Sequence, residues 1–211
     1  MPPPETVEKT FEKKISRQQA RKTRKANEIQ QIRAKAQAEV ELADDQSANH
    51  EAEYIKSECK KLHLVLAEMQ ADGHCLYASI ADQVNELNLS SESLNYLDMR
   101  KKAARYMRDH PDDFIGFLES SDSSDGIMSP DEYARYCNSV EYTSEWGGMA
   151  EINALAQCFK NPIFVLQSDT PLIRIGQEHL EAKTPMYISY HRKMYGLGEH
   201  YNSLRPVVPV S

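Results

Sequence analysis

The sequence predicts an α+β fold, helices first and a small sheet last, behind a basic helical arm. Three observations predict it. Apolar residues recur at spacings of three and four through most of the segment before Asn161-Pro162. After it come short runs with strand character, IFVLQS, LIRI and MYISY. Helices that precede strands, instead of alternating with them, argue for α+β over a βαβ repeat. The third observation is charge. The first 35 residues hold ten basic and four acidic side chains, net +6, so the rest of this 211-residue chain carries −13 within a total of −7. A basic arm over 1–48 and a folded domain over 49–211 are therefore expected, with two jobs between them.

In chain order, Val7 to Leu42 has neither Gly nor Pro and is rich in helix formers. Ile29, Ile32, Ala36, Val40 and Ala43 make one narrow apolar stripe, whereas ISRQQARKTRKAN has almost none. Its basic side chains either stay solvated or face a polyanion. ADDQSANH reads as a break, followed by a helix near Glu51 to Lys61. LHLVLAEM fits a short strand or a helix end. Leu76, Ile80, Val84 and Leu87 mark the next helix, and Leu94, Leu97, Ala104 and Met107 a further one that Pro111 ends. ESSDSSDG is a polar loop. Ser129-Pro130-Asp131-Glu132 has the form of a capping box and starts a helix to about Val140. Gly147-Gly148 precedes the last helix, with Ile152, Leu155, Ala156 and Phe159 on one face.

Composition narrows the function. No apolar run approaches the ~18 residues of a membrane span. The opening MPPPETVEKTFEKK lacks the apolar region of a signal peptide. Cys59, Cys75, Cys137 and Cys158 form no C-x-x-C pair, which argues against zinc and against a disulfide framework and for a reducing, cytoplasmic setting. Neither a metal nor a cofactor is expected. A catalytic thiol stays possible, and Cys75 stands out because it begins a helix directly after Asp72-Gly73-His74.

A helix N-terminus lowers a thiol pKa. Gly73 allows unusual dihedrals ahead of Cys75, so N–H groups of Gly73, His74 and Cys75 can converge on an oxyanion. Asp72 either fixes that loop or reaches the base. Seven histidines compete for the role of base. His200 follows the glycines of YGLGEHYNS and opens the expected last strand, where Asn202 shares its side and can accept from the imidazole. Cys59, Cys137 and Cys158 read as buried thiols, and the single tryptophan, Trp146, as a core or lid aromatic.

Three stretches together resemble the ovarian-tumour (OTU) domain family of cysteine deubiquitinases. They are ADGHCLYASIADQ around Asp72 and Cys75, EWGGMAEINALA from Glu145, and GLGEHYNSL with His200 and Asn202. The resemblance covers about residue 60 to the end and implies a papain-like OTU fold with helices flanking the sheet. It implies Cys75 as nucleophile and His200 as general base, with Asp72 or Asn202 orienting the base. Ubiquitin ends in two glycines, so Gly196 and Gly198 are implied channel walls and Trp146 a packing support. The nearest branch has a charged helical extension and links to translation and the small ribosomal subunit. That implies rRNA or ribosome contacts within 9–35, at Arg17, Arg21, Lys22, Arg24 and Lys25. Members of that branch have longer N-terminal regions, so a fragment or a short form is expected here. The alternative is a ubiquitin- and ribosome-binding adaptor that does not cut, though an intact Asp72-Cys75-His200-Asn202 set argues for an enzyme. No membrane partner is expected.

Overall fold

The computed structural model describes residues 24, 30–35, 37, 42, 44–120, 126, 128–182, 184–193 and 198–207. The chain forms two units, Met1–Ser47 and Ala48–Ser211. In the first, the described residues are helical and exposed, Ile32 and Arg24 among them. Among the described residues of ADDQSANH the expected break is not found, because 44–50 are helical. Asp, Asn and Ser weaken a helix by less than about 1 kcal/mol each, and without Gly or Pro nothing there stops one.

The second unit starts with helix α1 over 48–61. Strand β1 (Leu64–Ala67) follows, then α2 (Cys75–Glu86), α3 (Tyr96–Asp109), α4 (Pro130–Tyr142) and α5 (Met149–Phe159). Strands β2 (Ile163–Gln167), β3 (Ile173–Ile175), β4 (Met186–His191) and β5 (His200–Pro206) complete it, with three short 3-10 helices among the described residues between elements. LHLVLAEM thus contains a strand. The architecture is α+β, with most of the helices first and most of the sheet last. The sheet runs β1-β5-β4-β2-β3, antiparallel except where β2 meets β4.

Strand β2 explains the layering. Its IFVL run is apolar throughout because both faces are covered, and only the last residue, Gln167, is polar and partly exposed. Ile163 and Val165 join the large core with Leu76, Ile80 and Val84 of α2, Met99 and Met107 of α3, and Ile152 and Leu155 of α5. Leu166, one residue on and therefore on the other face, packs with Ile55 and Cys59 of α1 and with Leu64 and Leu204. The sheet is sandwiched, with α1 covering the face that the other helices leave.

Local chemistry sets the ends. Asn95 caps α3 by accepting from Leu97 N–H at 2.8 Å, and Asp98 returns a bond to the Asn95 N–H at 2.9 Å. Leu97, expected on the buried stripe, is 47% exposed, and that stripe runs instead through Met99, Arg100, Ala103, Ala104 and Met107. At α4 only half of the expected box forms. Ser129 accepts from Glu132 N–H at 3.2 Å, while the Glu132 carboxylate takes the Ser120 hydroxyl at 2.7 Å. The ESSDSSDG loop lies largely outside the described residues.

Candidate active site

Cys75 is the first residue of α2, and its side chain is buried at the foot of β5. Two interactions fix helix and strand together. Gln83, two turns along α2, donates to Ser203 Oγ and to Leu204 O, each at 2.8 Å, and accepts from Tyr187 N–H at 2.8 Å. One buried amide therefore ties the cysteine helix to β5 and β4 with three of its hydrogen-bonding sites used. Asp82 on the same helix pairs with Arg205 of β5.

The thiol is not activated in the way its position alone suggests. Burial pushes the Cys75 thiol up, the N–H groups of Tyr201, Leu76 and Cys75 itself draw it down, and Asp72 raises it again. The helix terminus does supply donors, but removal from water outweighs them in this state. The Tyr201 N–H that reaches the sulfur belongs to the residue after His200, so the thiol lies against the start of β5.

His200 is 2% exposed and pairs across the sheet with His191. Its Nε2 stands 3.0 Å from Asn202 Oδ1, and the same oxygen accepts from Met69 N–H at 2.7 Å. An amide oxygen only accepts, which makes Nε2 the protonated nitrogen and Nδ1 the one with a lone pair. Of the two groups left open as orienters, Asn202 therefore contacts His200. The Asp72 carboxylate serves its own loop and accepts from His74 N–H at 2.7 Å.

That bond occupies the His74 donor, which leaves Gly73 and Cys75 with the loop's other N–H groups. The Cys75 N–H makes a long contact, 3.4 Å, with Asp72 O besides its approach to its own sulfur. Gly73 is required for a reason other than the dihedrals expected of it. It has no positive φ, but a Cβ there would lie 2.3 Å from Ser144 O. The loops before Cys75 and before Trp146 touch backbone to backbone. Gly147 is also a close approach, since a Cβ would stand 2.6 Å from Leu76 Cδ2.

A cleft of 620 Å³ opens on Cys75, lined by Gly73, Leu76, Phe117, Trp146, Gly147, Gly148, Met149, Glu151, Glu199 and Tyr201 among others. Trp146 is half exposed on its wall, not a core residue. Gly198 has φ +104°, the left-handed region that demands glycine, and a Cβ there would sit 3.6 Å from the Trp146 ring. Gly196 lies outside the described residues, as do Arg17, Arg21, Lys22 and Lys25. Glu151, buried beside the cleft, accepts from Tyr136 Oη and from Gly148 N–H, each at 2.7 Å, and so shapes the Gly-Gly turn. Among the described residues no cluster of three His, Cys, Asp or Glu side chains can hold a metal.

Sequence reasoning missed Arg100. It is wholly buried in α3, within hydrogen-bond reach of both Gly73 and Glu145 carbonyls. The signal was present, because a stripe that holds Ala104 and Met107 needs a member at 100. In the run MRKK that member looks like one more solvated cation.

The profile of the OTU-like cysteine protease family matches residues 70–201. Deubiquitinase OTUD6B of Mus musculus is 35% identical over 196 residues, covering 92% of this chain and 64% of the relative. Deubiquitinase OTUD6B of Homo sapiens is 34% identical over 198 residues, covering 93% of this chain and 65% of the relative. The chain thus spans just under two thirds of the length of these relatives. Among solved structures, the OTU domain of OTUD1 shares the fold at a TM-score of 0.52 and 16% identity, covering 73% of this chain and 93% of that one.

Proposed function

The chain belongs to the OTU-like cysteine protease family, and on that premise we propose that it is a thiol-dependent deubiquitinase. It hydrolyses the isopeptide bond after the terminal glycine of ubiquitin. The observation that carries this reading is the Asn202–His200 pair, with the Cys75 sulfur against the next residue of the same strand. His200 Nδ1 takes the thiol proton. The thiolate attacks the isopeptide carbonyl, and the Gly73 and Cys75 N–H groups receive the oxyanion. The imidazolium gives its proton to the departing lysine amine, and water then resolves the thioester with His200 as base. Binding of ubiquitin in the cleft strips water further, so the thiolate forms as an ion pair with the imidazolium and not as an isolated buried anion. The cleft wall at Gly147 and Gly148, with Gly198 beside Trp146, leaves width for a tail without side chains.

The address is part of the proposal. The arm, net +6 over its first 35 residues and nearly free of apolar residues around Arg17 to Lys25, is suited to a phosphate-rich surface such as rRNA of the small ribosomal subunit. This would set the enzyme to work on ubiquitin conjugates in the cytoplasm during translation.

One experiment tests both parts. The chain is mixed with ubiquitin bearing a C-terminal thiol-reactive electrophile, with and without ribosomes, beside Cys75→Ala and a charge reversal at Arg21, Lys22, Arg24 and Lys25. An adduct that requires Cys75 supports the hydrolase, and its absence from the wild type under both conditions favours the adaptor. The reversed arm should still form the adduct but no longer sediment with ribosomes. Unchanged sedimentation would remove the proposed address.

A further inference from the structure

We infer that Arg100 is a positioning residue of this reaction: one buried guanidinium fixes the loop before Cys75 to the loop before Trp146, and so sets where the oxyanion donors point. The inference rests on the hydrolase reading above and deepens it.

The contacts are specific to the fork of an arginine. Nη2 donates to Gly73 O at 2.6 Å and to Glu145 O at 2.8 Å. Nη1 donates to Val140 O at 2.9 Å, and Nε to His74 Nδ1 at 3.0 Å. The four acceptors come from three separate segments, 73–74, 140 and 145. The guanidinium carbon lies 4.1 Å from the centre of the Tyr77 ring, whose residue is two places after the nucleophile. Tyr96 stacks on the other partner, His74, at 4.4 Å between centroids.

Among the described residues no carboxylate pairs directly with this cation, although Glu145, Glu151 and Asp72 act on it from farther away. Its first neighbours are carbonyl oxygens, an imidazole nitrogen and a ring face. A buried charge costs several kcal/mol, and an apolar residue of similar volume would serve mere packing as well or better. What an apolar residue cannot do is hold two loop carbonyls at once. Gly73 O and Glu145 O are held by one nitrogen, and the missing Cβ of Gly73 is what lets Ser144 approach. The Gly73 carbonyl belongs to the peptide next to the donors of the proposed oxyanion site. Its orientation therefore fixes theirs, and a displacement of about 1 Å at such a site costs about 10²-fold in rate. Lysine reaches a single point and cannot span the set.

The test uses the full chain and a fluorogenic amide of the ubiquitin C-terminus. For Arg100→Ala, kcat should fall about 10²-fold with KM within about threefold, because the donors act on the transition state and little on ground-state binding. Guanidinium ion at millimolar concentration should restore part of kcat by entering the vacated site, and Arg100→Lys should lie between wild type and alanine. Alkylation of Cys75 by iodoacetamide should stay near the wild-type rate, which separates lost positioning from lost fold. Where the alanine variant does not fold, Arg100→Gln, which keeps volume and one donor group, is measured with the same kcat and KM readout. An active wild type whose variants keep full kcat, or lose kcat only in proportion to the folded fraction with no guanidinium rescue, overturns the positioning role alone. A wild type inert toward ubiquitin substrates overturns the hydrolase reading and this inference with it.

Discussion

The loop ahead of Cys75 and the strand that starts at His200 are held by different means and from different parts of the chain. The cysteine side is fixed by a buried cation, Arg100, and by Asp72, all inside residues 70–201 that match the family. The histidine side is fixed by neutral and anionic acceptors and uses residues that precede the matched segment. Met69 donates to Asn202, and Glu51 of α1, 5% exposed, accepts from Arg192 N–H at 2.8 Å and Lys193 N–H at 3.0 Å. Those two amides begin the segment that leads through Gly198 to His200. A helix outside the family match therefore holds one half of the site, while the other half is self-contained. Helix α1 is thus more than a connector to the arm.

The largest test of this division compares Asn202 with Asp72. Asn202→Ala should lower kcat on a ubiquitin amide by about 10²-fold, because the imidazole loses the acceptor that sets its tautomer and orientation. Asp72→Asn should stay within a few-fold of wild type, since an amide oxygen still accepts from His74 N–H at the same place. If Asp72→Asn proves the more damaging in steady-state kinetics, Asp72 acts on the histidine side after all and the division fails.

Which parts of this were legible in the sequence follows from what leaves a periodic trace. Leu76, Ile80 and Val84 announce α2, and the change after Asn161-Pro162 announces the sheet, because burial on a face repeats with the element's own period. Cys75, His200 and Asn202 were visible because glycines and short polar groups cluster beside them. The polar residues that assemble the site were not. Gln83, Arg100 and Glu51 lie on buried faces where a hydrophobe is expected, and each is paired by groups from distant segments that no local window contains. The Cys75 thiol shows the same limit. Its place at a helix start is local, but the burial that raises its pKa comes from the packed domain around it.

A smaller effect is expected at Glu51. Glu51→Ala leaves two partly buried N–H groups without their carboxylate, a cost of roughly 1–3 kcal/mol. At this domain size each kcal/mol moves the melting temperature by about 2–4 °C. Because the bonds hold the approach to His200, which takes the thiol proton, kcat and the rate of Cys75 alkylation by iodoacetamide should fall together. A variant that melts lower yet keeps its kcat would reduce Glu51 to a stability residue and leave Met69 as the histidine side's tie to the segment before the match.

The smallest effect is a pH dependence at the back of the histidine strand. His191, fully buried, bonds Ser189 Oγ through Nε2 at 2.8 Å and faces His200 across the strand pair. Burial lowers its pKa to about 4, Glu51 opposes that shift, and the His200 charge adds to it. The folded protein thus refuses a proton that the unfolded chain accepts near pH 6.5. The unfolded state binds more protons between those values, so stability is intact above pH 6.5 and falls as pH drops toward 4, by on the order of 3 kcal/mol at most. His191→Gln removes that titration, and its urea midpoint should decline less than that of the wild type between pH 7 and pH 4. Equal declines would mean that His191 takes its proton within the fold, with Glu51 near enough to neutralise it, and the histidine side would then be the more pliant half of the site.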